Sequence, residues 1–257
     1  MAKVTKRKKL VVGNWKMNPQ TLEESQKIFK GIKKVFGKVK NVEVLVCPPY
    51  TYIQPLNKIS EPLKLGAQDV FFESVGSFTG EVSASMLVDA GCAYVIIGHS
   101  ERRAMGETSE IVSKKIATAV KENLKIILCV GENVRDTSGD YLEFLKNQLK
   151  DSLVGMQKRY LSNIVIAYEP VWLIGKSYGN AMSGQDVQEI SIFIKKVLAD
   201  MYGKDESSKN LILYGGSVAP INAKDIIENG QVDGFLIGRQ SLEPIGFNEI
   251  IKIVSEA

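Results

Sequence analysis

The residues of this sequence that could carry out chemistry are few, and most of them follow short apolar runs. His99 is the single histidine among 257 residues and lies in IIGHSERR, two residues before Glu101. Glu169 follows the apolar run IVIAY, and Lys16 lies in GNWKMN. A carboxylate in apolar company has a raised pKa, which suits a general base, whereas a lysine offers a fixed positive charge to an anion. A rim carboxylate paired with a lysine is the alternative for Glu169.

The surroundings of His99 favour a neutral imidazole. Gly98 precedes it, and charged, helix-prone residues follow it, so His99 lies at the start of a predicted helix. The positive end of a helix dipole disfavours imidazolium, and a neutral ring could donate a hydrogen bond to a carbonyl or enediolate oxygen. A buried histidine with satisfied hydrogen bonds is the alternative. Because the sequence has no second histidine, a histidine-rich metal site is excluded, and we expect no metal.

Two glycine-rich turns could bind a phosphate group. They are YGGS (214–217) and IGR (237–239), which contribute Gly215, Gly216, Ser217, Gly238 and Arg239. Backbone N–H groups in such turns, together with a helix N-terminus, form the usual phosphate site of α/β barrels, although ordinary turn glycines are the alternative. Asn14 adds a donor beside Lys16, and Glu101 could pair with Lys16. The set implies proton transfer next to a carbonyl on a small phosphorylated substrate, which requires no cofactor.

Eight short apolar runs, rich in β-forming residues, recur along the whole chain. They are 10–15, 42–47, 63–67, 93–98, 125–130, 164–168, 211–214 and 234–238. Near-continuous apolar runs of this length are typical of parallel strands covered on both faces. Helical patterns lie between them at 21–36, 109–121, 139–158, 183–201, 221–229 and 247–256, and Ser183 with Asp186 predicts an N-cap. A long loop is expected after the third run.

Eight such β–α units predict an α/β protein with a single (β/α)8 barrel over residues 10–257. An open doubly wound sheet is the alternative, but no GxGxxG follows the first strand. A barrel places its catalytic groups at the C-terminal ends of its strands. The candidate residues named above follow the first, fourth, sixth, seventh and eighth runs. One face of the barrel should therefore collect them.

Charge and cysteine content indicate the binding partners and the cellular compartment to expect. Much of the net charge of +4 comes from residues 1–9, which we predict to be a basic N-terminal extension. No apolar run approaches the roughly 18 residues of a membrane span, so no membrane association is expected. Nucleic-acid binding by the extension is an alternative, but no basic patch interleaved with aromatic residues supports it. Cys47, Cys92 and Cys129 lie far apart in apolar runs without a CxxC, which predicts core cysteines in a cytoplasmic protein.

The chain resembles the triosephosphate isomerase family from its first strand to its last. The matching motifs, in order, are GNWKMN (13–18), CPP (47–49), GAQD (66–69), FTGEVS (78–83), IIGHSERR (96–103), CVGE (129–132), AYEPVWLIG (167–175), YGGSV (214–218) and DGFLIG (233–238). The resemblance implies a TIM barrel that interconverts dihydroxyacetone phosphate and glyceraldehyde 3-phosphate through an enediolate, without a cofactor. A homologue shifted to another small phosphorylated aldose or ketose, and a binding protein without turnover, are the alternatives.

The resemblance also implies roles for individual residues. Glu169 would shuttle a proton between C1 and C2 of the substrate, and neutral His99 would polarise its carbonyl, a division of labour already described for triosephosphate isomerase. Lys16, with Asn14 beside it, would hold the negative charge of the substrate. Glu101 would lie near Lys16.

Further parts of the resemblance concern the phosphate, a lid and a partner subunit. Gly175, Ser217 and Gly238 would donate hydrogen bonds to the phosphate beneath a mobile lid, PVWLIGKS (170–177). FTGE, from Phe78 to Glu81, would insert into a partner subunit. Thr79 in this segment would reach the active site of the partner, which implies a homodimer.

Two positions depart from the pattern of the family. Residues 173–177 of the lid read LIGKS where the family usually has AIGTG, and Gly238 precedes Arg239 where the family has a second glycine. An arginine with positive φ would be strained there, whereas with negative φ its N–H could still bind phosphate. We expect an active isomerase with altered lid kinetics or phosphate affinity.

Overall fold

The computed structural model describes residues 8–36, 39–174 and 181–257, which contain a closed barrel of eight parallel strands. The strands are β1 Lys9–Asn14, β2 Val42–Cys47, β3 Lys64–Ala67, β4 Cys92–Ile97, β5 Lys125–Val130, β6 Ile164–Tyr168, β7 Leu211–Tyr214 and β8 Gly234–Ile237. They pair in sequence order, and β8 closes the barrel against β1. The predicted (β/α)8 fold is confirmed. Residues 1–7 of the predicted basic extension lie outside the described residues.

Helices follow the strands and cover the outside of the barrel. In the described ranges they are α1 Leu22–Phe36, α2 Tyr50–Asn57, α3 Ala84–Asp89, α4 Ser100–Ala104, α5 Ser109–Ala119, α6 Asp140–Ser152, α7 Gly184–Tyr202, α8 Lys204–Ser207, α9 Pro220–Asn229 and α10 Pro244–Glu256. Short 3-10 turns lie at Val120–Glu122, Lys158–Asn163, Val171–Leu173 and Arg239–Leu242. Within these ranges, no helix has the length and apolar character needed to cross a membrane.

The helix starts show which sequence signals were informative. At α7 the Ser183 hydroxyl accepts the Asp186 N–H at 3.2 Å, and the Asp186 carboxylate accepts the Ser183 N–H at 3.1 Å, so the predicted N-cap is confirmed. The helix predicted to start at His99 is present as α4, whereas the sequence pattern does not predict α2 or α8, because each is too short to display a helical period. In α2 a proline also interrupts the pattern, and only Ile53 and Leu56 are buried.

The apolar residues form an inner and an outer layer. The inner layer fills the barrel and consists of Leu10, Val12, Leu45, Cys47, Tyr94, Ile96, Ile127, Cys129, Val165, Ala167, Leu213 and Leu236. The outer layer lies between strands and helices and includes Val11, Phe29 and Phe247. Successive side chains of a strand point to opposite faces, which is why Val11 packs outward while its two neighbours fill the barrel. The three cysteines are buried and free, as predicted.

The same alternation brings polar groups to the C-terminal end of the barrel. Asn14 and Glu169 lie two residues beyond the last inner-layer side chains of β1 and β6. Gly215 and Gly238 likewise lie two residues beyond Leu213 of β7 and Leu236 of β8, the last inner-layer residues of those strands. An amide and a carboxylate therefore share a layer with two glycines, whose missing side chains leave space above the inner core.

Candidate active site

A cleft of about 450 Å³ opens at the C-terminal ends of the strands. Its lining includes Asn14, Lys16, His99, Glu101, Glu169, Ser217, Gly238 and Arg239. The structure thus brings together every predicted site residue in its described ranges, from five of the eight strand ends. Gly175, the remaining predicted phosphate donor, lies outside the described residues, as do positions 176–177 of the predicted lid.

Glu169 is held by two donors on the floor of the cleft. Its Oε1 lies 3.1 Å from His99 Nε2, and its Oε2 accepts the backbone N–H of Ser100 at 3.0 Å. The carboxylate is 3% exposed, so these contacts replace most of its hydration. A side chain at Gly215 would place its Cβ 2.9 Å from Glu169 Cγ, and glycine is therefore required beside the carboxylate.

The pKa of Glu169 is set by opposing effects. Burial raises the pKa, but His99, the Ser100 N–H and Lys16 lower it, and the net result lies below the usual value of 4.5. The raised pKa expected from the sequence is therefore wrong for the site without substrate. Apolar neighbours along the strand predict only the burial effect, whereas the stabilising groups come from β1 and the start of α4.

His99 occupies a turn that fixes its ring. Gly98 has φ of 74°, a left-handed conformation that glycine adopts readily, and His99 follows as the N-cap of α4. The His99 Nδ1 accepts the backbone N–H of Glu101 at 3.1 Å. Nδ1 is therefore the acceptor nitrogen, and Nε2 carries the proton that faces Glu169.

The pKa of His99 depends on its partner. Burial lowers it, whereas the Glu169 carboxylate raises it, and in the site without substrate the net pKa lies above the usual 6.5. The neutral imidazole expected from the helix start is thus opposed by a carboxylate that the local sequence does not reveal. The Glu101 N–H still favours the neutral ring, because a protonated Nδ1 could not accept it.

Lys16 has an unusual backbone conformation for a residue with a side chain. Its φ is 55°, and the Asn14 Oδ1 accepts its N–H at 3.0 Å. Gln68 Nε2 donates to the Lys16 carbonyl at 2.8 Å, which anchors the turn to the residue after β3. The ammonium group pairs with Glu101, so the predicted neighbourhood of these two residues is present.

The glycine-rich turns form a wall of the cleft next to Lys16. Gly215, Gly216 and Ser217 follow β7, and Gly238 and Arg239 follow β8. Arg239 begins a 3-10 turn and is not among the residues with positive φ, so the strain considered from the sequence does not arise. Its backbone N–H and its charged side chain both remain compatible with an anion in the cleft.

The described start of the predicted lid is anchored beside the cleft. The 3-10 turn Val171–Leu173 carries Trp172, whose Nε1 donates to Glu132 Oε1 at 2.9 Å. The Tyr168 hydroxyl donates to the same oxygen at 2.8 Å. Glu132, which is 1% exposed, thus links the end of β6 to the lid.

Sequence reasoning assigned no role to three groups that build this site. Gln68 holds the Lys16 turn, the Ser100 N–H holds Glu169, and Glu132 anchors Trp172. Gln68 and Glu132 follow β3 and β5 closely, so the strand-end rule applied to all eight strands would have indicated them. A backbone N–H such as that of Ser100 leaves no signal in residue type.

The fold and site define a class of protein, namely (β/α)8-barrel enzymes that move a proton within a small anionic substrate. Among the described residues, no group of three or more His, Cys, Asp or Glu side chains is placed to hold a metal ion. The family model described as triosephosphate isomerase matches residues 9–254. The chain belongs to the triosephosphate isomerase family.

Individual relatives agree over nearly their full lengths. A triosephosphate isomerase of Dictyoglomus turgidum is 40% identical, with 96% of this chain and 99% of the relative covered. Those of Rhodopirellula baltica and Roseiflexus castenholzii are each 42% identical, covering 98% and 96% of this chain and 99% and 97% of the relatives. The predicted family, enzyme class and activity, the isomerisation of a triose phosphate, are confirmed.

Proposed function

We propose that Glu169 is the base and His99 the electrophile that interconvert dihydroxyacetone phosphate and glyceraldehyde 3-phosphate in this cleft. The observation that carries the proposal is a buried carboxylate that lies 3.1 Å from the His99 Nε2, in a cleft that Lys16 and two glycine turns also line. A substrate carbonyl placed between them would meet a base on its neighbouring carbon and a donor on its oxygen.

The reaction follows from this placement. The Glu169 carboxylate removes a proton from the carbon next to the carbonyl, and the electron pair moves onto the carbonyl oxygen. His99 Nε2–H stabilises that oxygen in the enediolate, and Lys16 and Asn14 add a positive charge and an amide donor nearby. A second proton moves from the hydroxyl oxygen to the enediolate oxygen, and Glu169 then returns its proton to the other carbon, whose former hydroxyl oxygen becomes the new carbonyl. The sum is an aldose–ketose isomerisation, and no cofactor enters it.

Substrate binding should shift both pKa values in the direction that the chemistry needs. In the free site the contact with His99 lowers the pKa of Glu169, and the contact with Glu169 raises the pKa of His99. A substrate that separates them removes both effects. Burial then raises the pKa of Glu169 and lowers that of His99. Glu169 becomes a stronger base, and His99 becomes a neutral donor.

The phosphate of the substrate is assigned to the glycine turns. Gly216, Ser217, Gly238 and Arg239 line the cleft where α9 begins shortly after Ser217, and Gly238 lies next to the Lys16 side chain, since a Cβ there would be 3.4 Å from Lys16 Cε. Gly175 joins them in the proposal on the resemblance alone. The Arg239 side chain is exposed at this wall and would add a positive charge.

We also propose a homodimer formed through the segment FTGE, residues 78–81. Apolar side chains at this segment are open to solvent, with Val75 86% and Phe78 44% exposed, which is typical of a surface that another protein covers. The Phe78 ring packs 4.7 Å from that of Phe71, so the loop is supported from within its own subunit. Thr79 would reach the active site of the partner.

The dimer proposal can be tested by sedimentation velocity. Val75→Asp should dissociate the dimer, because a carboxylate would be buried without a partner. Ile245→Asp is the matched control, since Ile245 is 87% exposed on α10 and belongs to a different surface. Equal dimer fractions in the two variants would place the interface elsewhere.

A cytoplasmic location is proposed on the cysteines. Cys47, Cys92 and Cys129 are buried and unpaired, and burial raises the pKa of each thiol. Free thiols without disulfides suit a reducing compartment.

The activity test is a coupled assay of glyceraldehyde 3-phosphate conversion by purified protein, without added cofactor or metal. Fast turnover with this substrate, and much slower turnover with other small sugar phosphates, supports the proposal. Turnover that prefers another phosphorylated aldose or ketose would overturn the assignment of substrate. Phosphate binding without turnover would overturn the catalytic roles.

A further inference from the structure

The turn between β7 and α9 carries some of the backbone N–H groups to which the phosphate is assigned, and it contains two consecutive glycines. We refer to residues 215–218 as the phosphate turn, and all four line the substrate cleft. Glycine is required at position 216, where a Cβ would lie 2.3 Å from the Tyr214 hydroxyl oxygen. Because glycine has more backbone freedom than other residues, such a turn keeps one shape only where contacts fix it.

The two ends of the phosphate turn are fixed by different parts of the barrel. At its start the Gly215 N–H donates to the Tyr168 carbonyl at 2.7 Å, which ties the turn to β6. At its end the Asn222 Nδ2–H donates to the Ser217 carbonyl at 2.9 Å. The C=O and N–H of one trans peptide group lie in a plane and point in opposite directions. The bond from Asn222 therefore also directs the Val218 N–H away from Asn222.

Asn222 is itself held by the first turn of α9. Its Oδ1 accepts the Ala219 N–H at 2.8 Å, and its own N–H donates to the Ala219 carbonyl at 3.1 Å. Because one amide atom faces a donor and the other faces an acceptor, the orientation of the amide is fixed. Ala223 and Ile226 of the same helix are completely buried in the core, so α9 is a firm support.

We propose that Asn222 is a positioning residue for phosphate recognition, which keeps the N–H groups of the phosphate turn in the arrangement that binds the substrate. The inference rests on the proposed assignment of the phosphate to the glycine turns. Asn222 is partly buried and is not among the described residues that line the cleft, so it acts through Ser217. Donors that are already in place bind an anion without first losing conformational freedom. Release of the Ser217 carbonyl should therefore weaken phosphate binding while Glu169 and His99 keep their own contacts.

The test compares glyceraldehyde 3-phosphate with glyceraldehyde, which offers the same reacting carbons but carries no phosphate. In Asn222→Ala, kcat/KM for the phosphorylated substrate should fall roughly 5-fold, mainly through KM, which is the factor expected for one hydrogen bond. The inhibition constant of inorganic phosphate should rise by a similar factor. For glyceraldehyde, followed by NMR at high enzyme concentration, kcat/KM should stay at the wild-type value.

Two further variants separate the contact from folding and from charge. Asn222→Asp keeps an oxygen for the Ala219 N–H and adds a favourable negative charge at the start of α9, but it lacks the N–H donor. It should retain the wild-type unfolding midpoint in urea and raise KM at least as much as Asn222→Ala. Ile221→Asp is the matched control, because Ile221 is 88% exposed and the variant adds the same charge with Asn222 in place. It should raise KM less than Asn222→Asp does.

The outcomes that would overturn the role of Asn222 are specific. One is a wild-type KM together with wild-type phosphate inhibition in Asn222→Ala. Another is an equal loss of kcat/KM with both substrates, because damage to the barrel as a whole would produce that result. Failure of the proposed phosphate site looks different, since the wild type itself would then convert the two substrates with similar kcat/KM.

Discussion

The Nε2 of His99 lies 3.1 Å from Oε1 of Glu169, and this contact joins the two groups to which the chemistry is assigned. Each group shifts the pKa of the other, upward for the imidazole and downward for the carboxylic acid. In the proposed reaction the substrate lies between the two groups, so that each contacts the substrate and no longer the other. Changes at either residue therefore remove one function and alter the charge state of the other.

Glu169→Gln should lower kcat by at least roughly 10²–10⁴-fold, the usual contribution of a positioned base. The amide keeps the shape of the side chain beside Gly215 but cannot accept the substrate proton. Steady-state kinetics with glyceraldehyde 3-phosphate measures the loss, and circular dichroism controls for folding. A variant with wild-type kcat would remove Glu169 from the mechanism.

His99→Ala should lower kcat by on the order of 10²–10³-fold, as when other preorganised donors are removed from an oxyanion site. The reason is that the enediolate oxygen loses the Nε2–H. His99→Gln retains an amide donor and should lose less. If both variants turn over at the wild-type rate, the electrophile is another group.

The pKa of His99 should fall in Glu169→Gln, and the single histidine makes the NMR titration free of assignment problems. In the wild type the carboxylate holds this pKa above 6.5 against the effect of burial. An amide carries no charge, so burial prevails and the pKa drops below 6.5. The titration of the variant should therefore be centred at a lower pH than that of the wild type. An unchanged titration would mean that Glu169 does not control the imidazole.

Arg239→Gly should raise KM for the triose phosphate severalfold with little change in kcat. The backbone at this position has negative φ and needs no glycine, so the substitution acts mainly by removing a positive charge from the phosphate wall. Arg239→Lys preserves that charge and serves as the control. A KM that is the same in all three proteins would remove the Arg239 side chain from phosphate binding.

The sequence predicts which residues point into the site, because side chains alternate along each strand. It does not predict the contacts that residues from different strands make with one another. Asn14 and Glu169 lie at the inward positions that follow from counting along β1 and β6. The pKa of Glu169 was mispredicted because the groups that lower it, His99 first and then the Ser100 N–H, lie far from it in the sequence, Ser100 by 69 residues.

The backbone of Lys16 has a consequence for how this enzyme can be stabilised. A residue with a Cβ at φ of 55° carries conformational strain, on the order of 1–3 kcal/mol in typical cases. The free energy of unfolding of Lys16→Gly should therefore exceed that of Lys16→Ala by about 1 kcal/mol, so Lys16→Gly should unfold at a higher urea concentration. This is the reverse of the usual order of glycine and alanine. Equal midpoints in urea would argue against stored strain. Directed evolution for thermal stability alone should therefore enrich substitutions at the cleft, and these substitutions should raise the melting temperature while lowering kcat.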